Sequence, residues 1–347
     1  MKYWFPELPQ WIPALVTTAV LMVINLFAVK TFGEVEFWLA LIKVLTIVGL
    51  IGAGLAILLL GWETSAPTAP SVANLWRHDG FFPNGWSGFW YAVPVAAFTF
   101  AGVEVIGLVA AETAEPQRTL PRAINSILWR MAIFYLGSIA VIMALYPWNQ
   151  IDTAQSPFVM VFDSIGLGVA AGFINFVVIS ALASSCNTGL FATSRMLFAL
   201  SHIQQAPRQL QVLSANQVPA RCLMVSTAIL LVGVLLNYLI PESIFSLLIT
   251  GILGLLIWVW VVIITAHMAY RRKVLRGEAL QVAYRLPWPT FSSVLVLGYL
   301  GVLTVLVIRD PETRAAFYVA AAWFGLLLLV YPKRAAVKKE VSDVWNA

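Results

Sequence analysis

Charge is scarce in this sequence: Asp, Glu, Lys and Arg make up 11% of its 347 residues, where an ordinary soluble domain carries about 25%. Histidine occurs three times and cysteine twice. These shortages exclude whole classes of function. His78, His202 and His267 stand apart from one another near loops or the ends of apolar runs, so there is no paired-histidine metal spacing and each reads as a solvated side chain. Cys186 and Cys222 lie inside or beside apolar runs without metal-type spacing, and imply no disulfide. A glycine-rich phosphate loop and a nucleophile elbow are also missing, so nothing points to catalysis or to an organic cofactor. The first ten residues, MKYWFPELPQ, hold two prolines and no continuous apolar core, which excludes a secretory signal there. The net charge of +5 falls in short clusters between apolar runs, as lipid headgroups and membrane topology require, so nucleic acid is not an expected partner.

What is present is apolar, at 61% of residues, and it falls in long runs such as Ile244 to Ala266 rather than in amphipathic stripes. A helix apolar all round must face lipid or other buried helices. A spanning helix needs roughly 20 such residues, and nine stretches qualify, at about 11–29, 37–60, 88–111, 126–146, 166–200, 220–240, 243–270, 289–308 and 313–332. The stretch 166–200 is too long for one perpendicular span, so it tilts or runs on into a loop. The expectation is an all-α integral membrane protein with nine transmembrane helices in a single membrane domain over residues 1–347. The longer connections, 61–87 and 201–219, are loops.

The basic residues orient these spans, because cytoplasmic loops retain positive charge. One side collects Lys30, the Arg118, Arg122 and Arg130 group, the Arg195, Arg208 and Arg221 group, the five from Arg271 to Arg285, and four in the tail 333–347; the other holds Lys2, Arg77, Arg309 and Arg314. The C-terminus is therefore expected in the cytoplasm and, with nine spans, the N-terminus outside. Such a chain is expected to lack an odd number of N-terminal spans.

Two ionisable side chains fall within the spans. Lys43, in FWLALIKVLTIV, is about six residues into the second span, roughly 9 Å deep; it either snorkels to the headgroups or serves function. Glu104, in FTFAGVEVIG, lies about seven residues, roughly 10 Å, from the nearer span end, and is either a paired structural acid or part of a transport path. Pro94 and Gly102 in the same stretch make 88–111 a candidate discontinuous helix, and broken helices expose carbonyls and helix ends that bind substrate. The run SALASSCNTGLFATS places Ser184, Ser185, Asn187 and Thr188 in an otherwise apolar span, as a helix-packing face or the polar wall of a site. Gly49, Gly52, Ala53 and Ala56 read as small-residue packing. Trp4, Trp11, Trp86, Trp148 and Trp323 suit an interfacial belt.

Several stretches, among them KTFGEVEFWLALIKV, FTFAGVEVIGLVAAETAEPQRTLPRAINS, IMALYPWNQIDTAQSPFV and INFVVISALASSCNTGLFATSRMLFALS, resemble the amino acid transporter family within the amino acid, polyamine and organocation superfamily of permeases. The resemblance implies a twelve-span fold of two inverted five-helix repeats plus two helices, with substrate held between two broken helices. In that frame the nine stretches resemble spans 4–12: 11–60 as the last two helices of the first repeat, 88–270 as the second repeat, 289–332 as the two C-terminal helices. The family's glycine-rich break in its first helix finds no counterpart, so the first three spans are expected to be missing. The resemblance further implies import of a neutral amino acid across the cytoplasmic or inner membrane, with protons and the lipid bilayer as the other partners. The alternative expectation is a truncated, non-transporting membrane fragment or scaffold. Phe100, Ala101 and Gly102 are implied to offer backbone and shape to the substrate, with Glu104 the nearby acid. Ser184, Ser185 and Asn187 are implied to face the same site. Lys43 is similar to the lysine that replaces a coupling sodium ion, which implies proton symport. Members reported for proline, threonine, aromatic residues, and glycine or D-alanine are resembled about equally.

Overall fold

The computed structural model describes residues 4–27, 29–108, 115–151, 156–164, 168–241, 244–279, 284–311 and 313–330. The tail 333–347 and the end of the stretch 88–111 lie outside the described residues. Among the described residues the chain is helical, without β-strands. Six helical stretches are long and apolar enough to cross a membrane: Gly33–Leu60, Pro116–Leu145, Gly172–His202, Ala220–Leu239, Gly251–Leu275 and Pro289–Arg309, with shorter apolar helices at Trp11–Leu26 and Phe317–Leu329. Their outward faces are apolar too: Leu59 is 81% exposed and Leu329 87%, untenable in water over so many helices and expected in lipid. The protein is an all-α, multi-pass membrane protein.

Three stretches differ from the sequence-based boundaries. The helix expected over 126–146 begins at Pro116, as α5 (Pro116–Met131), because PQRTLPRAIN forms an amphipathic lead-in and proline suits the first helical turn. It passes through a π turn at Ala132–Leu136 before continuing to Leu145. The stretch 166–200 is one 35-residue helix, Gly168–His202, about 52 Å long against a bilayer core of about 30 Å, so it tilts or overhangs. The stretch 88–111 is interrupted, as described below.

The chain folds into two compact units. The first comprises 1–83 and 123–239. In it α1 (Trp11–Leu26) packs on α8 (Gly168–His202) and α9 (Ala220–Leu239), while α2 (Val29–Leu60) packs on α8, α6 (Gly137–Leu145) and α7 (Pro157–Ser164). Its larger core joins Leu50 and Ile57 of α2 to Val141, Ile142 and Leu145 of α6 and Val161 of α7. The close approach in this core is at Gly54, where an added Cβ would fall within the van der Waals shell of Val141 Cγ1. Gly49 and Gly52 have open space around them, so the small-residue contact expected of them belongs to Gly54. The connection after α2 is tied down: the Ser71 N–H and the Asn74 Nδ2 both donate to the Ala144 carbonyl, at 3.0 and 2.9 Å. Trp148 Nε1 donates to the His78 carbonyl at 3.2 Å.

The second unit comprises 84–122 and 240–347. Here α10 (Ile244–Leu275) packs on α11 (Pro289–Arg309) and α12 (Arg314–Val330), and α3 (Gly85–Phe98) packs on α11. Ala97 of α3, Leu253 and Ile257 of α10, and Leu300, Leu303 and Val307 of α11 form its core. His267 on α10 is half-buried, and its Nδ1 has no hydrogen-bond partner among the described residues.

Candidate functional site

In the second unit, α3 continues through Pro94 and ends at Phe98. The chain then makes tight turns of the i to i+3 kind: the N–H groups of Phe100 and Ala101 donate to the carbonyls of Ala97 and Phe98, and those of Val103 and Val105 to Phe100 and Gly102. Helix resumes as α4 (Val105–Leu108). Gly102 sits at φ +96°, a conformation open to glycine and strained for residues with a side chain, and this is why the interruption falls there. The Glu104 carboxylate turns back on the break, accepting the Gly102 N–H at 3.2 Å on both oxygens. Trp260 Nε1, on α10, donates to Glu104 Oε2 at 3.4 Å. Glu104 thus holds the break closed and ties it to α10, while Phe100 beside it is 47% exposed.

A cleft of about 540 Å³ opens in the same unit, between the length of α3 and the end of α11, with Trp90, Tyr91, Pro94, Phe98 and Arg309 among its walls. None of Phe100, Ala101, Gly102 or Glu104 lines it.

In the first unit, Lys43 does not stand alone. Its Nζ donates to Ser184 Oγ on α8 at 2.6 Å, Ser184 donates onward to Glu36 Oε1, and Lys43 Nζ stands 3.8 Å from that same oxygen. Ser184 is fully buried; the Lys43 and Glu36 side chains are 27% and 25% exposed. Glu36 and Lys43 are seven residues apart on α2, two helical turns along nearly the same face, so the hydroxyl bridges a lysine and an acid of one helix. Asn187, one turn beyond Ser184, is also fully buried. Its Oδ1 accepts from Asn25 Nδ2 of α1 at 2.6 Å, and its own Nδ2 has no hydrogen-bond partner among the described residues. Ser185 points elsewhere, exposed and bonded to its own helix through the Ala181 carbonyl at 3.1 Å.

Of the residues singled out by sequence, the fold joins Lys43 with Ser184, and Gly102 with Glu104. Reading the sequence missed Glu36, Asn25 and Trp260. Glu36 carried a usable signal, the seven-residue spacing to Lys43. Asn25 and Trp260 carried none, because their partners are 162 and 156 positions away.

Residues 1–343 match the family model described as amino acid permease. The amino-acid permease AapA of Bacillus subtilis is 42% identical over 330 residues, covering 95% of this chain and 71% of that one. The probable threonine/serine transporter YbxG of the same organism is 40% identical over 331 residues, 95% of this chain and 71% of the relative. The D-serine/D-alanine/glycine transporter of Escherichia coli K12 is 38% identical over 341 residues, with 96% and 72% covered. The chain belongs to the amino acid permease family.

Proposed function

We propose that this protein is a secondary transporter, not an enzyme, that imports a neutral amino acid across the cytoplasmic membrane together with a proton. The observation that carries the reading is the interruption of an apolar helix at residues 99–104, which turns at a positive-φ glycine and is pinned by the Glu104 carboxylate. Unwound backbone inside a membrane is tolerated where it lines a binding cavity or path. Phe100, Ala101 and Gly102 present backbone and an aromatic face to the substrate, and Glu104 keeps that backbone in place within reach of an ammonium group. Neutral specificity is supported by composition: Glu104 is the one ionisable side chain between Gly85 and Leu108 apart from the phenol of Tyr91. The amino acids for which two relatives are named, threonine/serine and D-serine/D-alanine/glycine, are neutral as well.

Proton coupling is assigned to Lys43, whose amine has a built hydrogen-bond acceptor in Ser184 and an acid close by. Ser184 belongs to that group. Asn187 offers one buried donor without a partner among the described residues to the polar run, and Ser185 is turned away from it, exposed. Nine spans are proposed in all: the six long apolar helices, α1, α12, and the interrupted α3 with α4. The N-terminus is then outside and the C-terminus cytoplasmic, in one membrane domain running from 11–60 and 88–270 to 289–332.

The test is uptake of radiolabelled serine, threonine, glycine, D-alanine and proline into proteoliposomes under an imposed pH gradient. Saturable accumulation of at least one, abolished by a protonophore, is expected. Accumulation indifferent to the protonophore would defeat the proton assignment, and no exchange or uptake of any neutral amino acid would defeat transport.

A further inference from the structure

The Lys43, Ser184 and Glu36 contacts form a directed chain. An ammonium donates to a hydroxyl oxygen, and that hydroxyl donates its own hydrogen to a carboxylate, so every donor in the line points the same way. We propose that Glu36 is the proton-accepting end of a three-member relay: Lys43 releases a proton to Ser184 Oγ as Ser184 passes its hydroxyl hydrogen to Glu36 Oε1. Atoms and charge balance. One N–H bond of Lys43 breaks and one O–H bond forms on Glu36, Ser184 ends as a hydroxyl, and an ammonium–carboxylate pair becomes a neutral amine and a neutral carboxyl. The proposal rests on the proton-coupled reading above and deepens it.

Three physical points support the step. First, a neutral pair needs far less solvation than an ion pair in a low-dielectric span, so the transfer relieves a desolvation cost instead of adding one. Second, Glu36 Oε2 is buried and accepts no hydrogen bond among the described residues, so no further donor competes with Ser184 for the carboxylate. Third, Glu36 lies seven residues closer than Lys43 to the start of α2, about 10 Å along the axis. In the proposed topology that end is cytoplasmic, the side on which an importer delivers its proton. The other titratable groups on the elements packed at this site are few. α2 itself brings Lys30 and Glu34, α7 brings Asp163, and α8 brings Cys186 two positions from Ser184, Arg195 three turns on and His202 at its end; α1 and α6 carry no titratable side chain. Arg195 is engaged over the Phe191 ring, 3.2 Å from its centroid.

The experiment has two arms. In the first, the purified chain in lipid nanodiscs is titrated and its infrared difference spectrum read for a protonated-carboxyl band. The band is expected in the unaltered protein, lost in Glu36→Gln, displaced in pH by Lys43→Met and by Ser184→Ala, and close to its original position in Ser184→Thr, which keeps the hydroxyl. A band untouched by Glu36→Gln, or unmoved by both Lys43→Met and Ser184→Ala, overturns the relay. In the second arm, Glu36→Gln in proteoliposomes is expected to lower pH-driven accumulation about a hundredfold, the low end of what a positioned proton-transfer group supplies, while amino-acid exchange falls far less. Equal accumulation by Glu36→Gln and the unaltered protein overturns the proposal. Absence of any transport by the unaltered chain, with the first arm as expected, removes the transport reading and leaves the relay standing.

Discussion

At the scale of single residues, the two acids and the lysine within the spans have different tasks. Lys43 is held by a serine hydroxyl and an acid, which a lysine snorkelling freely to the headgroups would not need. Lys43→Met is expected to abolish gradient-driven accumulation while sparing part of the substrate exchange, measured in the same vesicles with and without a pH gradient; full gradient-driven uptake would leave only a packing role. Glu104 serves the backbone first. Both its oxygens accept the Gly102 N–H and one also accepts from Trp260, so Glu104→Gln exchanges a charged double acceptor for an amide with one acceptor. A loss of about 1–2 kcal/mol of stability and impaired uptake are expected, read by thermal unfolding in detergent and by uptake kinetics. Unchanged kinetics and an unchanged melting temperature would show that the carboxylate supports neither. Glu104 and Lys43 were visible in the sequence because ionisable residues are rare in apolar runs. Their partners were not, since Ser184 lies 141 positions from Lys43, and a hydroxyl beside another hydroxyl reads alike until the helix is packed.

At the scale of elements, packing decides which small residues matter. The line of glycine and alanine along α2 is periodic enough to suggest helix contact, yet among its glycines only Gly54 meets a neighbour that an added methyl would strike, the branched Val141. A valine is stiff at χ1 and cannot swing aside cheaply. Gly54→Val is therefore expected to destabilise the first unit by about 1–3 kcal/mol through overpacking, while Gly52→Val, in open space, changes stability far less. Comparing the thermal unfolding of the two variants checks this; equal losses would refute the contact. On α8, Ser184 and Ser185 are neighbours in sequence about 100° apart around the axis, and one is sealed in the relay while the other is exposed. The break in α3 was legible beforehand because Gly102 next to an intramembrane acid is a local signal. Trp260, which fastens it, was not local.

At the scale of the whole molecule, the uneven distribution of Lys and Arg among the loops sets the expected topology. Alkaline phosphatase fused after Lys339 is expected to be inactive and fused within 64–74 to be active; the reverse pattern would overturn the orientation. The loop holding 64–74 is anchored by its hydrogen bonds to the end of α6, which nothing in its polar composition disclosed. What the sequence alone determined is the solvent the chain is built for, the helices it must form and the place where one of them breaks, because hydrophobicity, helical period and the need for positive φ act over a few turns. What only the tertiary structure decided is which polar groups meet: Glu36 with Ser184 and Lys43, Asn25 with Asn187, Trp260 with Glu104. In an apolar span a buried donor or acceptor is costly unless paired, so pairing is compulsory, but the partner is chosen by which helix faces come together.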